Sequence, residues 1–293
     1  MCALGACSTV QDVPMPWDAK EPRDAETPMT APASLAGTDW TRIGSSIRGK
    51  PIEAATFGTG TRRIYVIAGI AGDETEGPRL APQLPDELLA ISGLSDVTIR
   101  IVRNMNPDGA GAKTRANIRG VDLSRNWPSK DFHADATSGS RAASELETNA
   151  VFADMTKFKP DLVIALRSSS RGASEVRFEG PGLLSGQAFV RGARQQDPKW
   201  RLVPPSETSL PGSIESLVGR DWKKPILSVE YYRGRELEVS TKATRDGLLA
   251  IASLPEIVPA AAKTTQAKQA AAKGKAMPSS KAKGPAIASE ENR

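Results

Sequence analysis

The sequence predicts an α/β fold, and three observations carry that reading. Two near-continuous apolar runs, "IYVIAGI" (Ile64–Ile70) and "DLVIAL" (Asp161–Leu166), lack the in–out alternation of a half-exposed strand, so they read as strands covered on both faces. Strand-like segments alternate with helical ones, the order that builds helices around a sheet. Charged residues follow the apolar runs: acids after Ile70, Arg167 after Leu166 and Glu230 after "ILSV". Ligands in open α/β sheets gather at such strand ends.

The elements follow in chain order. Strands are predicted at Pro51–Phe57, Arg62–Ile70, Val97–Arg103, Asp161–Arg167, Glu175–Glu179 and Pro225–Tyr231, each a short β-branched or apolar run. A helix is predicted over Arg141–Phe158, with Ala143, Leu146, Ala150 and Ala153 on one face and Pro160 ending it. Asp86–Ile91, Leu184–Arg194 and Lys242–Ala252 are further helical segments. Together these define one domain over residues 38–256, with a Pro-, Ala- and acid-rich linker before it (1–37) and an Ala/Lys-rich basic tail after it (257–293), both expected to be disordered.

Composition narrows the function classes. The 293 residues are 39% hydrophobic and 25% charged, and no apolar run is long enough to span a bilayer. The net charge is +5, and the segment from Val258 onward holds seven basic residues and two acids, so the excess lies in the tail. The chain before the tail is balanced overall, which argues against a basic face for nucleic acid, and a nucleic-acid role for the tail has only charge behind it. Cys2 and Cys7 are the only cysteines and His133 the only histidine. A thiolate metal site in the domain is excluded, as is any site needing two imidazoles. His133 reads as an ordinary loop residue. "LGAC" (Leu4–Cys7) matches the pattern before a lipidated cysteine, without the basic and apolar regions of a signal peptide. The expectation is a lipid anchor at Cys7 and a cell-envelope location if a signal region stands upstream, and otherwise a cytoplasmic chain.

Five short motifs occur in order: "GSSIRGKPI" (Gly44–Ile52), "NMNPDGAGAKTRANIRGVDLSRNWP" (Asn104–Pro128), "SGSRAASELET" (Ser138–Thr148), "PDLVIALRSS" (Pro160–Ser169) and "PILSVEYY" (Pro225–Tyr232). In this order and spacing the chain resembles the zinc carboxypeptidase family, nearest the bacterial branch that trims cell-wall peptides. The resemblance implies a three-layer α/β/α fold with a mixed, mostly buried sheet of about eight strands. It also implies zinc held by an H-x-x-E pair and a second histidine, a glutamate as general base, and arginines gripping the substrate carboxylate through paired donors.

Carried over residue by residue, the match is uneven. Glu74 matches the glutamate ligand, but Ala71 and Arg167 stand at the two histidine positions. Asp73 and Glu76 could add only oxygens, which suit a harder ion. Glu230 matches the general base, and Arg115 and Arg125 match carboxylate-binding arginines. Ser124 replaces an asparagine beside the second of these. The serines Ser168–Ser170 have no histidine base near them in sequence. The expected function is a domain that has lost zinc and catalysis while retaining binding of peptide carboxylates, cell-wall peptides being the class. The alternative is an active hydrolase with an atypical metal site and Glu230 as base. No cofactor is expected, and the oligomeric state is open. With the metal gone, Arg167 is expected to take its place, pairing with Glu74 and within reach of Glu230.

Overall fold

A computed structural model describes residues 39–89, 94, 96–205 and 210–255. The expectations for 1–37 and 257–293, including the anchor at Cys7, lie outside the described residues. Eight strands form one sheet: β1 (Thr41–Ser45), β2 (Pro51–Phe57), β3 (Arg62–Ala68), β4 (Val97–Val102), β5 (Leu162–Ser169), β6 (Glu175–Glu179), β7 (Arg201–Val203) and β8 (Ile226–Tyr232). Their spatial order is β1-β2-β4-β3-β5-β8-β6-β7. The centre, β4-β3-β5-β8, is parallel, while β1, β2 and β6 add antiparallel pairings, so the sheet is mixed.

Strand periodicity sorts the side chains onto two faces. Ile64, Val66, Ala68, Leu162, Ile164, Leu166, Leu227 and Val229 enter one core, with α1 (Glu76–Leu80), α2 (Leu84–Leu89), α5 (Leu183–Ala193) and α6 (Leu237–Ala252) packed against it. Tyr65, Ile67, Val163, Ala165 and Ile226 enter the other, under α4 (Leu146–Phe158) and a π-helical turn, Ser216–Asp221. Helices on both faces make three α/β/α layers. On the α4 side Tyr65 donates to Asp154 at 2.7 Å and Arg100 grips the same carboxylate at 2.7 and 2.8 Å, which ties α4 to the sheet. Among the described residues no helix is long and apolar enough to cross a membrane.

The helix predicted over Arg141–Phe158 begins later, at Leu146. Ala143 takes a left-handed φ of 50°, and its N–H donates to the Asn126 carbonyl at 2.7 Å. The Asn126 side chain also binds Ser138, Arg141 and Ser144, which holds the segment as a loop. The buried stripe is also displaced: Glu147, Thr148, Val151, Met155 and Phe158 face the protein, whereas Leu146 is 54% exposed. Helix α6 starts five residues before the predicted Lys242, because Ser240 and Thr241 are buried polar positions that apolar periodicity does not detect.

Candidate functional site

A cleft of about 390 Å³ opens on the α4 side of the sheet, where β5, β6 and β8 run side by side. Alternation places its walls. Beyond Val163 and Ala165 the next residue of β5 on this face is Arg167, and beyond Ile226 on β8 come Ser228 and Glu230. On β6 the same face carries Glu175, Arg177 and Glu179. Register then places four charged residues in one row across four strands: Arg167 is beside Glu230, Glu230 beside the like-charged Glu175, and Glu175 beside Arg201.

Two loops complete the cleft. The loop after β3 carries Ala71 and Glu74, and the 106–125 segment carries Arg115 and Ser124. The "NPDG" motif forms a helix start: the Asn106 side chain accepts from the Gly109 N–H, and Pro107 opens the short helix α3 (Pro107–Ala112), where its missing N–H costs nothing. Gly72 N–H donates to the Arg115 carbonyl at 3.0 Å, and a Cβ on Gly72 would meet Gly109 C at 2.3 Å and the Thr114 carbonyl at 2.5 Å. Glycine is needed there for close approach of two backbones, and that approach sets Arg115 beside Glu74.

Glu74 is 7% exposed. Its carboxylate lies 3.8 Å from Arg115 Nη1 and 4.0 Å from Arg167 Nη1. Oε2 is buried with no hydrogen bond among the described residues. Burial pushes its pKa up to about 7, Arg167 and Arg115 offset this only in part, and Asp73 adds to it. Arg167 is held more firmly elsewhere. Its Nη1 donates to Ser124 Oγ at 2.9 Å and its Nη2 to Glu215 Oε1 at 3.1 Å, and Ser228 Oγ donates to the same Glu215 oxygen at 2.7 Å. Burial disfavours charge on Arg167 and on Glu215, but their mutual attraction prevails: the arginine is raised and the glutamate lowered from their ordinary values.

The structure brings Glu74, Arg115, Ser124, Arg167 and Glu230 to one cleft. Arg125 does not line it: its guanidinium lies 3.3 Å from Thr137 Oγ1 and 3.6 Å from Asp135, on the far side of the short 3₁₀ turn Leu123–Arg125. The pairing of Arg167 with Glu74 is the longer of its two ion pairs, and Glu230 is engaged by Arg177 Nε at 2.9 Å instead. Arg177 also reaches Glu175 at 3.2 Å. His133 sits in an exposed loop. Sequence reading missed Glu215, Arg177 and Glu175. The alternation of charges in "EVRFE" was a usable signal for the last two, whereas Glu215 is one acid in a segment without periodicity.

These residues do not fit zinc. The ion needs three or four donors, and the family's positions here offer one carboxylate, a methyl group and a guanidinium. Neighbouring acids are engaged elsewhere: Asp73 lies 3.7 Å from Arg233, and Glu76 accepts from Ser168. Among the described residues no group of three or more His, Cys, Asp or Glu side chains could hold a metal ion.

The zinc carboxypeptidase family model matches residues 38–176. The chain carries a zinc carboxypeptidase-family domain. Solved structures share its fold at low identity. Metallo-carboxypeptidase from Burkholderia cenocepacia aligns at TM-score 0.59 and 20% identity, covering 74% of this chain and 64% of that one. Murein-tripeptide amidase MpaA from Escherichia coli O157 aligns at TM-score 0.56 and 19% identity, covering 78% and 98%. Bovine thrombin-activatable fibrinolysis inhibitor aligns at TM-score 0.61 and 17% identity, covering 74% and 89%. The chain thus spans just under two thirds of the Burkholderia protein's length. No curated protein sequence matches the chain. Ala71 and Arg167, where the sequence resemblance expects histidines, supply no metal donor.

Proposed function

We propose that this carboxypeptidase-family domain has lost zinc and hydrolysis and keeps its cleft as a receptor for the free carboxylate of a peptide, cell-wall peptides being the class. One observation carries the reading: a buried guanidinium, fixed by Ser124 and Glu215, stands where a ligand histidine is expected and lies 4.0 Å from Glu74. A resident cation there repels a divalent ion. Arg115 is the residue that grips the ligand. Its Nε is held by Asp122 at 2.9 Å, but its side chain is 46% exposed at the cleft, so donors of the guanidinium fork remain for a carboxylate. The murein-tripeptide amidase among the structural relatives supports the cell-wall class. A hydrolase acting through Glu230 would need that carboxylate free, and Arg177 holds it.

Two measurements test this together. Metal analysis after incubation with zinc and dialysis is expected to find less than stoichiometric metal. Calorimetric titration with a murein tripeptide is expected to show binding that Arg115→Ala abolishes. Tightly bound stoichiometric zinc with peptide hydrolysis overturns the loss of catalysis, and absence of binding overturns the receptor.

A further inference from the structure

Arg115 and Asp122 stand seven residues apart, and the turn between them folds them together. Asn117 makes that turn: its N–H donates to the Val121 carbonyl at 2.8 Å, and its side-chain oxygen accepts from the Arg119 and Val121 N–H groups at 3.0 and 3.1 Å. Its amide nitrogen donates to the buried Glu145 at 2.8 Å, which anchors the turn in the protein. Asp122 is fixed where the turn ends, because its N–H donates to the Thr137 carbonyl at 2.8 Å. Both of its carboxylate oxygens are then engaged. Oδ2 accepts from Arg115 Nε at 2.9 Å, and Oδ1 accepts from the Ser124 N–H at 2.9 Å. Ser124 in turn faces both cleft arginines, with its Oγ 2.9 Å from Arg167 Nη1 and 3.5 Å from Arg115 Nη2.

We propose that Asp122 is the positioning residue of the cleft: it holds Arg115 by Nε, so that the Nη1–Nη2 end of the guanidinium meets the ligand carboxylate. The proposal rests on the carboxylate-receptor reading and concerns how that receptor is set. A guanidinium carries five donors in one plane, so an acceptor fixed on Nε fixes the direction of the other four. The Asp122 side chain is 15% exposed and sits on a hydrogen-bonded backbone, so its grip has one geometry. The competing acceptor is Glu74. Its Oε1 lies 3.8 Å from Arg115 Nη1, and its Oε2 has no hydrogen bond among the described residues. Without the hold on Nε, Arg115 turns onto Glu74, and the donors that face the cleft are taken up inside the protein.

The test is Asp122→Asn in the full chain, because asparagine keeps an oxygen for the Ser124 N–H and removes only the anionic acceptor of Arg115. Calorimetric titration with the murein tripeptide is expected to show an affinity about tenfold lower in the variant. The sign is diagnostic, since removing a negative charge beside an anion site would by Coulomb's law alone tighten binding. A nitrogen-15 NMR spectrum of the arginine Nε–H groups reports the cause. The Arg115 signal is expected to disappear through solvent exchange, while that of Arg177, which donates to Glu230 at 2.9 Å, persists and reports a folded cleft. Asp122→Ser, which also caps the turn and is too short to reach Arg115, is expected to give the same pair of results and serves where asparagine disturbs the fold. Wild-type binding that is unchanged or tightened in the variants, or an Arg115 signal that survives, overturns the proposal and leaves the receptor standing. Loss of both arginine signals in both variants makes Asp122 a structural residue and overturns the proposal as well. Absence of tripeptide binding by the wild type overturns the receptor and the proposal with it.

Discussion

Glu74→Gln is expected to stabilise the protein at pH 8 and to leave it unchanged at pH 4. Below pH 4.5 the Glu74 carboxyl is protonated whether the chain is folded or not. As the pH rises from 4.5 to about 7, the unfolded chain ionises first while the buried carboxyl keeps its proton, so stability falls across this window. Each pKa unit is worth about 1.4 kcal/mol, so the displacement from 4.5 to about 7 is a penalty of about 3 kcal/mol once the group is fully ionised. Glutamine has nearly the same shape, can turn its amide oxygen toward Arg167 and Arg115, and carries no charge to desolvate. For a domain of this size, about 3 kcal/mol corresponds to a rise in Tm of about 6 to 12 °C. The assay is thermal unfolding of both proteins in chelator-treated buffer at pH 4, 6 and 8. An equal or lower Tm for the variant at pH 8 would refute the reasoning, because it would mean that Arg167 and Arg115 already neutralise Glu74.

Three further outcomes are expected. Arg167→Met leaves Glu215 buried without its cation and should cost about 3 to 5 kcal/mol in urea unfolding, whereas Arg167→Met with Glu215→Gln should recover much of that loss. Ala71→His combined with Arg167→His supplies the two missing donors beside Glu74, so metal analysis should find zinc retained after dialysis and a Tm that chelator lowers; no zinc uptake would show that the loop after β3 is no longer shaped for a metal. Gly72→Ala forces the β3 loop away from Gly109 and Thr114. It should cost about 1 to 3 kcal/mol and weaken peptide binding through Arg115, while unchanged stability and binding would count against the backbone contact as the element that places Arg115.

Much of the fold was legible because its centre is built from strands covered on both faces. "IYVIAGI" and "DLVIAL" can hardly lie anywhere but in a buried parallel sheet, and both do. The edges were less legible. Strand β1 is half-exposed and five residues long, and β7 has three residues, so neither carries enough apolar pattern to be recognised. The start of α4 was misread because Asn126, distant in sequence, captures the segment before it through its side chain. The candidate site divides in the same way. Glu74, Arg115, Ser124, Arg167 and Glu230 were named because motifs mark their positions, and all five line the cleft. The partner of Arg167 was not legible, since Glu215 reaches it from the π-helical side of the cleft through a contact that no local pattern encodes.

The position of that partner explains why the cleft is not simply a zinc site with an arginine in place of the ion. Zinc would sit about 2 Å from a carboxylate oxygen, close enough to hold Glu74 fully ionised. Arg167 has its shorter ion pair with Glu215, at 3.1 Å, and stays 4.0 Å from Glu74. The positive charge is therefore balanced first by an acid outside the three family ligand positions, and the surviving ligand glutamate receives what attraction remains. This accounts for a Glu74 pKa pushed up to about 7 with two arginines nearby. It also separates the roles of those arginines. Arg167, buried and held by two partners, has little left to offer a ligand, whereas Arg115, half-exposed and opposite an incompletely neutralised carboxylate, keeps donors directed at the cleft. A carboxylate ligand that draws Arg115 away from Glu74 leaves that glutamate with less attraction, so ligand binding and proton uptake by Glu74 are coupled. Peptide affinity should therefore fall as the pH rises from 6 to 8, and Glu74→Gln should flatten that dependence; an affinity that is flat in the wild type would show that Arg115 does not serve both carboxylates.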